Sequence, residues 1–332
     1  MRWLRAASAA DEGGAWPPAD GLDGALVVAA ARGHRLSARA GARAHAAGTA
    51  GPAWIGELVR DWRAALGDEA LFEQALGGLA ETARRRGLPV IALKGSDLCR
   101  RVYAPGERPR NDLDLLVPAE RLDEADAWLR AAGYQGAHPA PELARRFWFA
   151  ATYRCAARPR LLVDLHWALG PPRRTRWDMA GVFRRAEPLP GVAGASRLDA
   201  ADLAAHLAQH AVAFHGAAGR WLWWLDLHLV LRGADAGAIA SRAREVGAEV
   251  ALEAARLRAA RLFGGVPGSA RARARAIAAL GRAFEGRGNA TPGRWAVAAL
   301  AVDRPRDLVA IGAGVVRRGA SRAGRQRSQD VR

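Results

Sequence analysis

The sequence predicts an α/β (α+β) fold: a small mixed sheet flanked by N-terminal and C-terminal helical regions. Apolar residues recur at helical spacing up to about Arg86. Between Leu88 and Trp167 the apolar runs shorten and alternate every second residue. Beyond Asp199 the helical period returns. Hydrophobic residues make up 50% and charged residues 25% of the 332, a globular composition that excludes disorder of the chain as a whole. That length exceeds one compact domain, so two domains, or one with helical additions, are expected.

Residues 1–20 mix Gly, Pro and Ala without periodicity and are expected to form a disordered lead. Region 21–87 is helical. Leu71, Phe72, Ala75, Leu76, Leu79 and Ala83 fall on one face of a helix that ends near Gly87. A core over 88–190 follows. Leu88–Leu93 is a short apolar strand, and Gly95-Ser96 turns the chain into a helix over Asp97–Tyr103. After an Arg/Pro/Gly-rich loop comes a second strand, Asp112–Val117. Leu122, Ala125, Trp128 and Leu129 mark a helix that Gly133 ends, and Phe147–Cys155 and Leu161–Trp167 read as two strands joined around Pro159. Region 191–305 is helical, with Arg220–Leu231 its most apolar part. Region 306–332 is a basic tail expected to lack structure, and no internal repeat is evident.

Charge and cysteine content narrow the function classes. The net charge is +17, yet Lys94 is the only lysine among 50 basic residues. Six arginines and one aspartate in Arg317–Arg332 supply +5 of that surplus, and the remainder is spread along the chain. Attraction to a polyanion follows, without specifying which. No run approaches the roughly 20 apolar residues of a membrane span. Residues 1–10 lack the apolar stretch of a secretion signal. Two cysteines, Cys99 and Cys155, are too few for a disulfide framework, so a cytoplasmic setting without membrane attachment is expected.

Strand parity carries the chemical argument. In Asp112-Leu113-Asp114-Leu115 the carboxylates share one face and the leucines face the core. Like charges so close resist ionisation unless a cation sits between them, and Mg²⁺ is the cation that takes oxygen ligands and phosphate partners. The bland alternative is an exposed acidic strand. In Leu161–Trp167, Asp164 and His166 lie opposite Leu161, Val163, Leu165 and Trp167, so Asp164 would complete a two-metal site of the kind used for in-line phosphoryl transfer. The alternative for Asp164 is a buried acid paired with an arginine, and His166 reads as structural. By this logic, removing one aspartate should relieve repulsion in the metal-free protein. Gly95 and Ser96, at a strand-to-helix turn, could bind phosphate or simply cap the helix. Lys94 precedes them, and Arg108 and Arg110 could clamp a triphosphate or stand in a solvated loop. His206, His210 and His215 could chelate zinc, but a polar helix face or a nucleotide contact fits better. Trp221, Trp223 and Trp224 read as core, and both cysteines as small buried residues.

Taken together, Leu93-Lys94-Gly95, Leu98, Tyr103, Pro105, Arg108, Asp112–Val117, Gly133-Tyr134 and Asp164–Trp167 resemble the bacterial "uncharacterised nucleotidyltransferase" family of the polymerase-beta-like superfamily. The resemblance runs on through His210, His215, Arg220, Trp224, Leu225 and Asp226, and spans roughly Leu22 to Leu231. It implies three metal-binding and catalytic carboxylates, Asp112, Asp114 and Asp164, with Mg²⁺ as cofactor. It also implies a nucleotide-binding set of Lys94, Gly95, Ser96 and Arg108. The 15 residues between Ser96 and Asp112 exceed the usual superfamily spacing but fit this subfamily. The implied reaction moves a nucleoside monophosphate (NMP) from a nucleoside triphosphate (NTP) such as ATP to an acceptor hydroxyl on a small molecule, RNA or protein. The alternative is a catalytically silent module that binds nucleotide or RNA.

Overall fold

The computed structural model describes residues 1–9, 16–49, 51–136, 148–171, 175–217, 219–264, 270–283, 297 and 300–301. Its centre is a seven-stranded mixed sheet. The strands are β1 (Ile91–Ala92), β2 (Leu113–Leu116), β3 (Tyr134–Gly136), β4 (Ala150–Cys155), β5 (Leu162–His166), β6 (Glu187–Pro188) and β7 (Ser196–Arg197). Their spatial order is β3-β4-β5-β2-β1-β7-β6. β2 pairs antiparallel with β1 and parallel with β5, in a register that sets Leu113 opposite Val163 and Asp114 opposite Asp164.

Alternation along β2 and β5 divides the side chains between two cores. On one face Leu113, Leu115, Val163 and Leu165 pack against α4 (Ala53–Arg85) and α6 (Leu122–Ala131), through Phe72, Leu76, Leu79, Trp128 and Leu129. α4 has 33 residues and so runs about 50 Å, ending at Gly87 in the left-handed conformation (φ +61°). On the other face Ile91, Leu93 and Leu116 join a larger core. It draws on α2 (Gly24–Gly33), α3 (Ser37–Ala46), α8 (Ala200–Gln209), α9 (Trp221–Arg232), α10 (Ala236–Val246) and α11 (Glu249–Phe263). Between them lie α5 (Gly95–Arg101) and α7 (Met179–Arg185), and α12 (Ala272–Ala283) follows. No described helix is long and apolar enough to cross a membrane.

Besides the three-residue strand β3, which the sequence reading lacks, two features depart from it. The segment expected to be a disordered lead begins with a helix, α1 (Arg2–Ala9). Trp3, Leu4 and Ala7 are buried, and the Trp3 ring meets Trp16 and Trp54 edge-on at 5.1 and 4.9 Å. Eight residues are too few for periodicity to register, and the helix is held by partners distant in sequence. The second departure is that β7 belongs to the sheet although it lies past residue 190. It pairs parallel with β1 and antiparallel with β6, and two-residue strands carry no alternation to read. Tail 306–332 lies outside the described residues.

Candidate active site

The acidic residues gather where β2 and β5 run side by side, on the face opposite α4 and α6. Asp114 is 5% exposed, and its Oδ1 accepts hydrogen bonds from Lys94 Nζ at 2.6 Å and His166 Nε2 at 2.9 Å. Asp164, directly across the ladder, accepts from Thr152 Oγ1 at 2.6 Å. Asp114, Asp164 and His166 each offer one ligand atom, all within 4.8 Å of one another. Two oxygens and an imidazole nitrogen at that spacing suit a divalent cation. Asp112 immediately precedes β2, close enough for the Asp114 and Asp164 charges to act on it.

The two aspartates of the Asp-Leu-Asp segment differ in electrostatics. Burial, then the nearby Asp114 and Asp164 charges, push Asp112 up to about 6. Burial acts on Asp114 in the same direction, but the Lys94 ammonium and the His166 hydrogen bond outweigh it and hold that carboxyl well below the usual range. Lys94 is thus the cation that lets Asp114 ionise in a dry setting. It occupies a strained backbone position (φ 41°, ψ −112°) between β1 and α5.

Around this centre Arg108 is locked in place. Its Nε and Nη2 each donate to Asp226 of α9 at 2.8 Å, and the Tyr103 hydroxyl donates to the same carboxylate at 2.8 Å. The remaining nitrogen, Nη1, lies over Gly95, 2.8 Å from where a Cβ would stand. A side chain at this position would press on the pinned Arg108 guanidinium and on the Arg110 methylenes, and glycine avoids both. Ser96 is fully buried, its amide bonds back to Leu93 O at 3.2 Å, and its hydroxyl has no partner. Arg110 is drawn off to Glu73 at 2.6 Å and lies over the Phe72 ring.

The profile of the family described as "Uncharacterised nucleotidyltransferase" matches residues 20–264. The chain belongs to that nucleotidyltransferase family. Among solved structures, it is similar to the solution structure of the antibiotic-resistance factor ANT(2'')-Ia. That likeness has 18% identity and a TM-score of 0.36, and covers 58% of this chain and 95% of that one. A comparison with curated proteins gives no match.

Within this nucleotidyltransferase-family chain, the sequence-derived residues are distributed unevenly. Asp114 and Asp164 stand together, Asp112 adjoins them, and Lys94 reaches Asp114. Gly95 lies beneath Arg108, and Ser96 follows it in the first turn of α5. His166, read from sequence as structural, belongs to the candidate ligand group. Its signal was its position two residues past Asp164 on the same strand face. His206 of α8 and His210, just past its end, are not part of that group. Burial holds His206 down to about 3 and His210 well below the usual imidazole value, so both are neutral. Trp221 and Trp224 pack in the larger core.

Proposed function

We propose that this protein is a metal-dependent nucleotidyltransferase that moves an NMP from an NTP to an acceptor hydroxyl. The observation that carries the reading is the in-register pairing of Asp114 with Asp164, with His166 completing a ligand group and Asp112 alongside. Asp112, Asp114 and Asp164 would hold Mg²⁺, which when bound supplies charge neutralisation for the phosphates and the attacking oxygen. The acceptor oxygen bonds to the α-phosphorus as the bond from that phosphorus to the bridging β-oxygen breaks. Pyrophosphate leaves, and the hydroxyl proton passes to solvent. Lys94, Gly95, Ser96 and the Nη1 of Arg108 face the phosphates. The buried, unpartnered Ser96 hydroxyl supports this assignment, because such a group costs free energy until something bonds it. The acceptor is a small molecule, an RNA end or a protein side chain. Free thiols at Cys99 and Cys155 agree with a cytoplasmic setting.

A catalytically silent nucleotide-binding module is the second reading, and the Lys94–Asp114 contact favours it, since an ammonium already neutralises the buried carboxylate. Incubation with each NTP labelled at the α-phosphate, Mg²⁺ and cell extract separates the two. An active enzyme labels an acceptor fraction, and Asp164→Asn abolishes that label. A silent module binds NTP and labels nothing.

A further inference from the structure

A second charged cluster adjoins the acidic centre, built partly from a region that precedes the sheet. Arg35 sits in the turn between α2 and α3 with a left-handed backbone (φ 59°), unusual for a non-glycine residue. Its Nη2 donates to Asn111 Oδ1 at 2.8 Å, which brings the guanidinium beside Asp112, the next residue. The turn is pinned from the other side as well. His34 stacks on Trp221 at 4.5 Å, and the Leu222 amide donates to His34 O at 3.2 Å. The residue just before that tryptophan is Arg220, which is exposed.

Arg35 thus lies at the edge of the candidate site next to Asp112, close enough to Arg108 and Arg220 for their charges to act on it. Burial, then repulsion from Arg220 and Arg108, lower Arg35 to about 10, while Asp112 and Asp226 only partly offset this. Asp226 is already taken up by Arg108 and Tyr103. Holding cations together under partial burial costs free energy unless an anion joins them, and planar guanidinium forks suit phosphate oxygens.

We propose that Arg35, with Arg220, binds the pyrophosphate half of the nucleotide, so that the N-terminal helices supply part of the polyphosphate subsite. This rests on the nucleotidyltransferase reading and places the leaving group beside Asp112. The contribution of Arg35 falls on the β- and γ-phosphates and spares the monophosphate.

The test is calorimetric binding to the full chain with Mg²⁺, using inorganic pyrophosphate, each NTP and the matching NMP as probes. Arg35→Gln should weaken pyrophosphate and NTP binding at least tenfold while NMP binding changes less than twofold. Arg35→Lys should fall between wild type and Arg35→Gln. Melting temperatures of both variants should match wild type, showing that the fold is retained. Equal loss for NMP and NTP, or unchanged pyrophosphate affinity in Arg35→Gln while wild type binds NTP, overturns the subsite and leaves the nucleotidyltransferase reading standing. Wild type binding neither NTP nor pyrophosphate overturns both.

Discussion

At the scale of single residues, Asp112 and Asp114 lie two positions apart and respond oppositely to burial. Parity along one strand shows that they share a face. It cannot show that Lys94, 20 residues earlier, reaches back to only one of them. The expectation that removing any of the three acids relieves repulsion therefore applies to Asp112 and fails for Asp114. An aspartate unfolds to a value near 3.9, whereas folded Asp112 stands at about 6. Between those pH values the native state binds a proton that the unfolded state has released. Stability thus falls as pH rises through the window, by about 2 kcal/mol after allowing for partial solvent access. With a chelator present, Asp112→Asn should stabilise the protein by that amount at pH 7.5 and not at pH 4 in urea titrations. Equal effects at both pH values would refute the assignment. Asp114→Asn should instead cost about 3 kcal/mol at pH 7.5, because it leaves the Lys94 ammonium facing a neutral amide. Asp164→Asn weakens one hydrogen bond from Thr152 and should cost about 1 kcal/mol in the same titration.

At the scale of elements, the longer strands β2, β4 and β5 are legible in the sequence, and the two- and three-residue strands β3, β6 and β7 are not. β2 and β5 alternate cleanly, so their inward and outward residues follow from sequence, Asp164 included. β6 and β7 span two residues each, and their pairing is decided by the chain's return to β1 rather than by any pattern. The loop before β2 is an intermediate case. Its arginines suggest an anion clamp, but the carboxylate that fixes Arg108 comes from α9, 118 residues later. Asp226 anchors that loop to the helix through Arg108 and Tyr103, with 1% of its side chain exposed. Asp226→Ala should therefore cost about 3–5 kcal/mol by stranding a buried guanidinium. Tyr103→Phe should cost about 1–2 kcal/mol. Combining Arg108→Ala with Asp226→Ala should cost less than the sum of the two, since either single change already breaks the ion pair between them. Additive losses in denaturant titrations would show that Arg108 and Asp226 do not act together.

At the scale of the whole molecule, the helical regions before and after the sheet form one core. Leu4, Leu36 and Leu58 share a cluster with Leu203, Trp224 and Val250. Contacts between residues so far apart leave no local trace, which is why the helices on either side of the sheet are readable in the sequence and their shared core is not. α1 shows the consequence most directly. It packs against α3 and α11, and Arg5 Nη1 reaches Arg261 O at 3.4 Å. Trp3 anchors the segment: it is 7% exposed, is flanked by Trp16 and Trp54, and donates from its indole nitrogen to Pro17 O at 3.2 Å. Truncating a buried tryptophan forfeits both its transfer free energy and its packing, so Trp3→Ala should cost about 3 kcal/mol. For a chain of this size that is a fall of roughly 6 °C in melting temperature. Leu26→Ala supplies the contrast, since that leucine is 69% exposed and its loss should fall within about 0.5 kcal/mol. Deleting residues 1–9 should reproduce or exceed the Trp3→Ala shift, because the same contacts disappear with the rest of the helix. A truncated protein that melts with wild type would show that the first helix is an appendage and that the core closes without it.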